Sequence, residues 1–301
     1  MKQHRTKLGI LYATAAYILW GFLPVYWKLV ENVPAGEILA HRIIWSFVFM
    51  LVIVTCVRKW VPFIRELTVI IRDKKKLIGI SLAGLIVSMN WLTYIWAVNS
   101  DHVVQASLGY YINPLVSILL GIIVLGERLS RRQIISCLLA AAGVIYLTVS
   151  FRVFPWVSII LAMTFAVYGL LKKTVDIDTM FGLTIETMVV TPIALIYLLT
   201  LPETAFQLTN ILTATNLLLM GAGVVTAVPL LLFAAGAKRI PLNMVGFLQY
   251  VAPTIMLILG VFVYNEPFTR AHGVAFTLIW IALIIYMGSV SHQPTQKQKA
   301  S

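Results

Sequence analysis

Two stretches of the chain carry polar and aromatic side chains at helical spacing inside otherwise apolar sequence. In 107–121, Ser107, Tyr110, Pro114, Ser117 and Gly121 recur at intervals of three and four, with Asn113 beside them. That spacing places them on one helical face. Gly246, Gln249, Pro253, Met256 and Gly260 repeat the pattern 139 residues later. Such faces offer recognition by hydroxyl, amide and ring. Each proline removes a backbone hydrogen bond and bends its helix. Two readings follow: a pair of bent helices that line a cavity and rock about Pro114 and Pro253, or a seam of small residues for close packing. Tyr110 and Gln249 are too large for such a seam, which favours the cavity.

A third stretch adds Asn90, Trp91, Thr93, Tyr94 and Trp96, with Asn90, Tyr94 and Ala97 on one face. An amide half-way across an apolar run needs partners, either a substrate or a neighbouring helix. Trp96 reads as a belt aromatic at the membrane surface. Ionisable groups inside apolar runs are few: Glu37, His41 and Arg42 near one end of the second run, and Glu186 in the seventh. Glu37 and His41 are four apart and can pair, while Arg42 points elsewhere. From residue spacing, Arg42 and Glu186 lie roughly 12 Å apart in depth, so a direct bridge is not expected. Arg42 at such depth needs compensation. It can recognise an anion or carboxylate, snorkel to the surface, or bond the carbonyls of a bent helix. Glu186 is the candidate proton carrier, with a satisfied interhelical glutamate as the alternative. Glu127 and Glu266 end their runs and read as tight-turn residues; Ser130 with Gln133 fits a capping box. No nucleophile–base motif, phosphate loop or metal-ligand spacing occurs, and the two cysteines lie in apolar runs. The sequence therefore predicts no enzyme, no cofactor and no metal.

The elements that position these groups are membrane helices. The chain is 60% hydrophobic and only 11% charged, with mean hydropathy +0.93; a soluble chain carries about 25% charged residues. Ten runs can each cross a bilayer: 8–27, 36–56, 77–98, 103–125, 132–149, 154–171, 180–200, 214–236, 241–263 and 272–290. The first run lacks a small-residue cleavage site and reads as a retained helix, not a signal peptide. The connection 57–76, with seven basic residues, reads as irregular. Placing both ends in the cytoplasm puts 19 Lys and Arg inside and three outside, which sets orientation. That distribution explains the +12 net charge through topology, so no nucleic-acid partner is expected.

Aligning 107–131 with 246–270 gives seven identities in 25 positions, including Tyr111 with Tyr250, Pro114 with Pro253, Gly121 with Gly260 and Glu127 with Glu266. A duplicated five-helix unit has an odd number of crossings, so the second copy enters from the opposite side. The expected fold is an all-α integral membrane protein, ten transmembrane helices as two inverted five-helix repeats, 8–149 and 153–290. Such a plan is common in secondary transporters, which bind substrate near the midplane between halves.

The segments AYILWGFLPVYWK, HRIIWS, NWLTYIWAVNSDHVVQASLGYYINPL and GERLS resemble the RarD group of the EamA family, within the drug/metabolite transporter superfamily. The resemblance spans about 8–290. It implies ten helices, two EamA repeats, a bacterial inner or plasma membrane location and export of small metabolites or drugs. The RarD name is associated with chloramphenicol sensitivity. The residues it carries over are Trp20, Arg42, Asn90, Trp91, Tyr94, Tyr110, Asn113 and Pro114. Small multidrug exporters of the same superfamily use a glutamate in their first helix; none stands here.

The combined expectation is a secondary active transporter that exports a small amphipathic metabolite or drug-like compound by alternating access. Its partners are the lipid bilayer and a small-molecule substrate; a homodimer is neither required nor excluded. Expected substrate-binding residues are Trp20, Arg42, Asn90, Tyr94, Tyr110, Asn113, Gln249 and Tyr250. Aromatic residues suit an apolar part of the substrate, and Arg42 and Asn90 a polar or anionic end. The fifth and tenth runs become peripheral scaffold. The alternatives are a translocator of lipids or lipid precursors and a non-transporting membrane scaffold or sensor.

Overall fold

Every apolar run becomes helical because a backbone in hydrocarbon must satisfy its own hydrogen bonds. A computed structural model describes residues 2–99, 103–150, 152, 154–207, 209–265 and 268–291, so Glu266 lies outside the described residues. The first five runs form α1 (Lys2–Lys28), α2 (Ala35–Cys56), α4 (Lys74–Asn99), α5 (Val103–Ile123) and α6 (Arg131–Ser150). The second five form α7 (Trp156–Thr174), α8 (Thr179–Thr200), α9 (Ala214–Ala237), the pair α10 (Leu242–Gln249) and α11 (Val251–Phe262), and α12 (Arg270–Ser291). Among the described residues, nine helices are long and apolar enough to cross a membrane, and Leu108–Ile123 within α5 is a shorter apolar helix.

The connection read as irregular contains one further helix, α3 (Trp60–Arg72). Phe63, Leu67 and Ile70 recur at i, i+4 and i+7 and pack on Val54 of α2, Ile80 of α4, and Phe181 and Ile185 of α8. The Asp73 carboxylate then accepts the Lys75 and Lys76 N–H groups at 3.0 and 3.2 Å and starts α4.

The two sets of helices pack as structural counterparts. α5 meets α10, α6 meets α12 and α2 meets α8, each pairing equivalent runs. The contact of α4 with α7 is matched by that of α9 with α1, and α5 with α7 by α11 with α1. α6 and α12 lean mainly on each other at one edge, the peripheral position expected for the fifth and tenth runs.

At the centre, α5 and α10 cross closely. A Cβ on Gly246 would meet the Pro114 carbonyl oxygen at 2.7 Å and the Ile118 side chain at 2.8 Å, so only glycine fits there. The prolines act differently in the two copies. Pro114 sits within a continuous α5, whereas the helix carrying Pro253 breaks at Tyr250, whose N–H bonds Phe247 three residues back. Pro253 supplies no N–H to the Gln249 carbonyl four residues earlier, and Pro114 none to that of Tyr110.

Candidate functional site

Arg42 lies on α2 one residue past His41, on a different helical face. His41 stays with Glu37, their side chains 3.7 Å apart. Glu37 Oε1 accepts the N–H groups of Ala205 and Phe206 at 2.7 and 3.3 Å, and His41 stacks on Phe206. That pair ties down the connection after α8. Arg42 instead turns inward. Its Nε donates to Thr226 Oγ1 on α9 at 3.1 Å. Its Cζ lies 4.7 Å from the Trp27 ring centre and 4.4 Å from that of Trp91, so the guanidinium is sandwiched between two indoles. Among the described residues no carboxylate lies within ion-pair distance of it.

Tyr94 and Tyr110 complete this wall. Their rings pack edge to face at 5.8 Å, and both lie within electrostatic range of Arg42. Tyr110 keeps 36% of its surface accessible, and Arg42, Trp27, Trp91 and Tyr94 are each half-buried. Four helices thus converge on one accessible cation walled by aromatic rings.

The other expected site residues occupy neighbouring positions. Ser117 Oγ lies 3.3 and 3.2 Å from the Gln249 amide and 3.5 Å from Asn113 Oδ1, a polar seam across the α5–α10 crossing. Tyr250 donates to the Tyr111 carbonyl at the same crossing. Asn90 Nδ2 reaches Leu161 O and Thr164 Oγ1 on α7, both at 2.8 Å, so its amide joins two helices. Trp20 packs with Tyr17, Phe165 and Phe233 in a buried ring cluster.

Glu186 has no contact with Arg42. Its Oε1 accepts from Lys172 Nζ at 2.7 Å and its Oε2 from the Tyr168 hydroxyl at 3.3 Å. Two voids meet at this carboxylate. One runs along Ser46, Ser88, Trp91 and Thr187; the other along Lys172, Asp178 and Lys238. Trp91 borders the first void and also covers Arg42, so the two charged sites share a wall.

Beyond Glu186 the helix ends are fastened. Glu127 accepts the Leu242 and Asn243 N–H groups at 2.6 and 2.8 Å and caps α10 across the two halves. Lys173 Nζ bonds the carbonyls of Ala237 and Ile240, and Lys238 bonds that of Ile177. Ser130 and Gln133 form the expected capping box, with bonds of 2.8 and 3.4 Å.

Comparison with known proteins places this arrangement. The EamA-like transporter family matches residues 7–149 and again 155–288. The chain belongs to the EamA family. It is 48% identical over 289 residues to the uncharacterized transporter YojE of Bacillus subtilis, covering 95% of each chain. It is 42% identical over 288 residues to the protein RarD of Escherichia coli K12, covering 95% of this chain and 96% of that one. A solved crystal structure, 17% identical, superposes with a TM-score of 0.74 over 96% of this chain and all of that one, which shows a shared fold. The chain is thus a multi-pass membrane transporter of RarD type, and the two EamA matches coincide with the two sets of counterpart helices.

Sequence reasoning did not single out Trp27, Thr226 or Lys172 as site residues. Trp27 stands at the end of its run beside Lys28 and looks like a boundary residue. Thr226 is one hydroxyl in a long apolar helix and carries no signal alone. Lys172 resembles any basic residue at a membrane edge, although it stands four residues after Tyr168, on the face that meets Glu186.

Proposed function

We propose that this EamA protein is a secondary active transporter that exports a small amphipathic acid by alternating access between halves 8–149 and 153–290. One observation supports the substrate class above all: Arg42 sits among aromatic rings with no carboxylate at ion-pair distance among the described residues. A guanidinium held between two indoles keeps free N–H donors in a low-dielectric setting, where a carboxylate or phosphate gains most from a bidentate contact. Trp27, Trp91, Tyr94 and Tyr110 supply surface for an apolar or aromatic body. Asn113 and Gln249 add amide contacts beside it. Asn90, Tyr250 and Trp20 hold neighbouring helices together, Asn90 through α7, Tyr250 at the α5–α10 crossing and Trp20 in its ring cluster.

Glu186 is the candidate coupling group. It stands where the two voids meet, so a proton entering from the outer, Arg42 side passes to the cytoplasmic, Lys172 side when its ion pair opens. Pro114 and Pro253 free the carbonyls of Tyr110 and Gln249 and provide the hinges about which the α5–α10 crossing moves. Both termini face the cytoplasm and the protein resides in the inner or plasma membrane, in line with the 19-to-3 distribution of basic residues.

Untargeted metabolite profiling of medium from cells lacking and cells overproducing the protein tests this reading. Overproduction raises, and deletion lowers, the extracellular level of a compound with an acidic group and an apolar part. Changes confined to membrane lipids indicate a lipid translocator, and an unchanged profile indicates a scaffold; either result overturns the proposal.

A further inference from the structure

The helix α3 has more apolar surface than its docking uses. Phe63, Leu67 and Ile70 fasten it to the bundle, with the Phe63 and Phe181 rings 5.6 Å apart. At about 100° per residue, Trp60, Ile71, Ile64 and Val61 extend that stripe around one side of the helix. They are not covered: Ile64 is 57%, Ile71 59% and Val61 70% exposed. Continuing in the same direction around the helix come Arg72 and Arg65, both exposed. Protein-facing, apolar and cationic surfaces thus follow one another in order. An amphipathic helix lying in the plane of a membrane surface has this order, with its apolar arc in the acyl boundary and its cations at headgroup level.

The flanks strengthen the charge. Arg58 and Lys59 precede α3, and Lys74, Lys75 and Lys76 follow it, giving seven cations in 57–76 against Glu66 and Asp73. Asp73 is committed to capping α4. Among the described residues none of the seven cations is in an ion pair. Basic clusters of this size next to a membrane helix attract acidic lipid. A nucleic acid or an acidic polypeptide would meet the cations but leave the apolar arc exposed to water.

We infer that α3 is a lipid-binding element that holds acidic phospholipid headgroups of the surrounding bilayer, such as phosphatidylglycerol. The site is separate from the Arg42 cluster and does not depend on transport. Because Phe63 and Ile70 pack on α8, lipid bound there stabilises the folded bundle.

The test uses the full chain in nanodiscs of phosphatidylcholine with a minor fraction of phosphatidylglycerol. Native mass spectrometry of the released protein counts retained lipid. The wild-type protein retains phosphatidylglycerol at least threefold above its share of the bilayer. A variant with the seven surface cations changed to Gln retains it in proportion to its share and loses the rise in melting temperature that the lipid gives the wild type. Equal retention in both proteins would overturn the inference. A second measurement uses Ile64→Cys carrying a nitroxide, with Cys56 and Cys137 changed to Ser. Relaxation by oxygen above that by a water-soluble nickel chelate is the expected result; the reverse order would also overturn it.

Discussion

Tyr250 donates its hydroxyl to the carbonyl of Tyr111, the residue 139 positions earlier that occupies the equivalent place in the first repeat. The bond is long, 3.4 Å, but its partners are telling. Residues at equivalent positions of the two EamA matches touch here because α5 and α10 pack closely against each other. Gly246 makes the crossing close and Ser117 with Gln249 makes it polar.

Close contact at this crossing depends on shape more than on the tyrosine bond. Gly246→Val places a carbon bearing two methyl groups against the Pro114 carbonyl and Ile118. It is expected to cost at least about 1–3 kcal/mol as an overpacked core. Tyr250→Phe removes one long hydrogen bond and is expected to cost about 0.5 kcal/mol. Thermal unfolding in detergent ranks the two, and a larger loss in Tyr250→Phe would contradict this account.

The Lys172–Glu186 pair is buried and each partner depends on the other. Lys172→Met leaves a carboxylate without its cation and is expected to cost about 3–5 kcal/mol. The double variant Lys172→Met/Glu186→Leu removes both charges and is expected to be more stable than Lys172→Met alone. A double-mutant cycle measures this coupling; additive losses would mean the pair contributes nothing jointly.

Glu127 serves the second repeat from the end of the first. Glu127→Ala leaves the first two N–H groups of α10 without their acceptor and is expected to lower stability by about 1–2 kcal/mol. Glu127→Gln retains one acceptor oxygen and is expected to lose about half as much. Chemical denaturation of the two purified variants checks this order.

Asn90 is expected to show itself in stability first. Its amide donates to a carbonyl and a hydroxyl of α7, so Asn90→Leu removes two interhelical hydrogen bonds and is expected to cost about 1–3 kcal/mol. Thr164→Val, which removes one of the two acceptors, is expected to cost less. Melting curves of the purified variants distinguish them.

The sequence makes the membrane helices and their duplication legible because both rest on strong regularities, long apolar runs and paired prolines, glycines and tyrosines. The helix α3 is hidden because seven cations dominate its surroundings, while Phe63, Leu67 and Ile70 mark a face only once helicity is assumed. Arg42 is visible as a costly charge in an apolar run, but its two indole covers come from helices far apart in sequence. Lys172 counts as an edge charge until its long apolar stem is seen to carry Nζ inward to Glu186. Tertiary contacts between separate helices decide each of these cases, and spacing along one helix cannot supply them.

Arg42 carries the central claim. The compound identified by metabolite profiling should be loaded into sealed proteoliposomes containing either the wild-type protein or Arg42→Gln, with both proteins first matched for helical content and monodispersity. Saturable flux by the wild-type protein, with Arg42→Gln at least tenfold slower and close to empty liposomes, is the expected result. Wild-type flux in the Arg42→Gln protein would contradict the assignment of this aromatic, cationic cluster as the place where substrate is held.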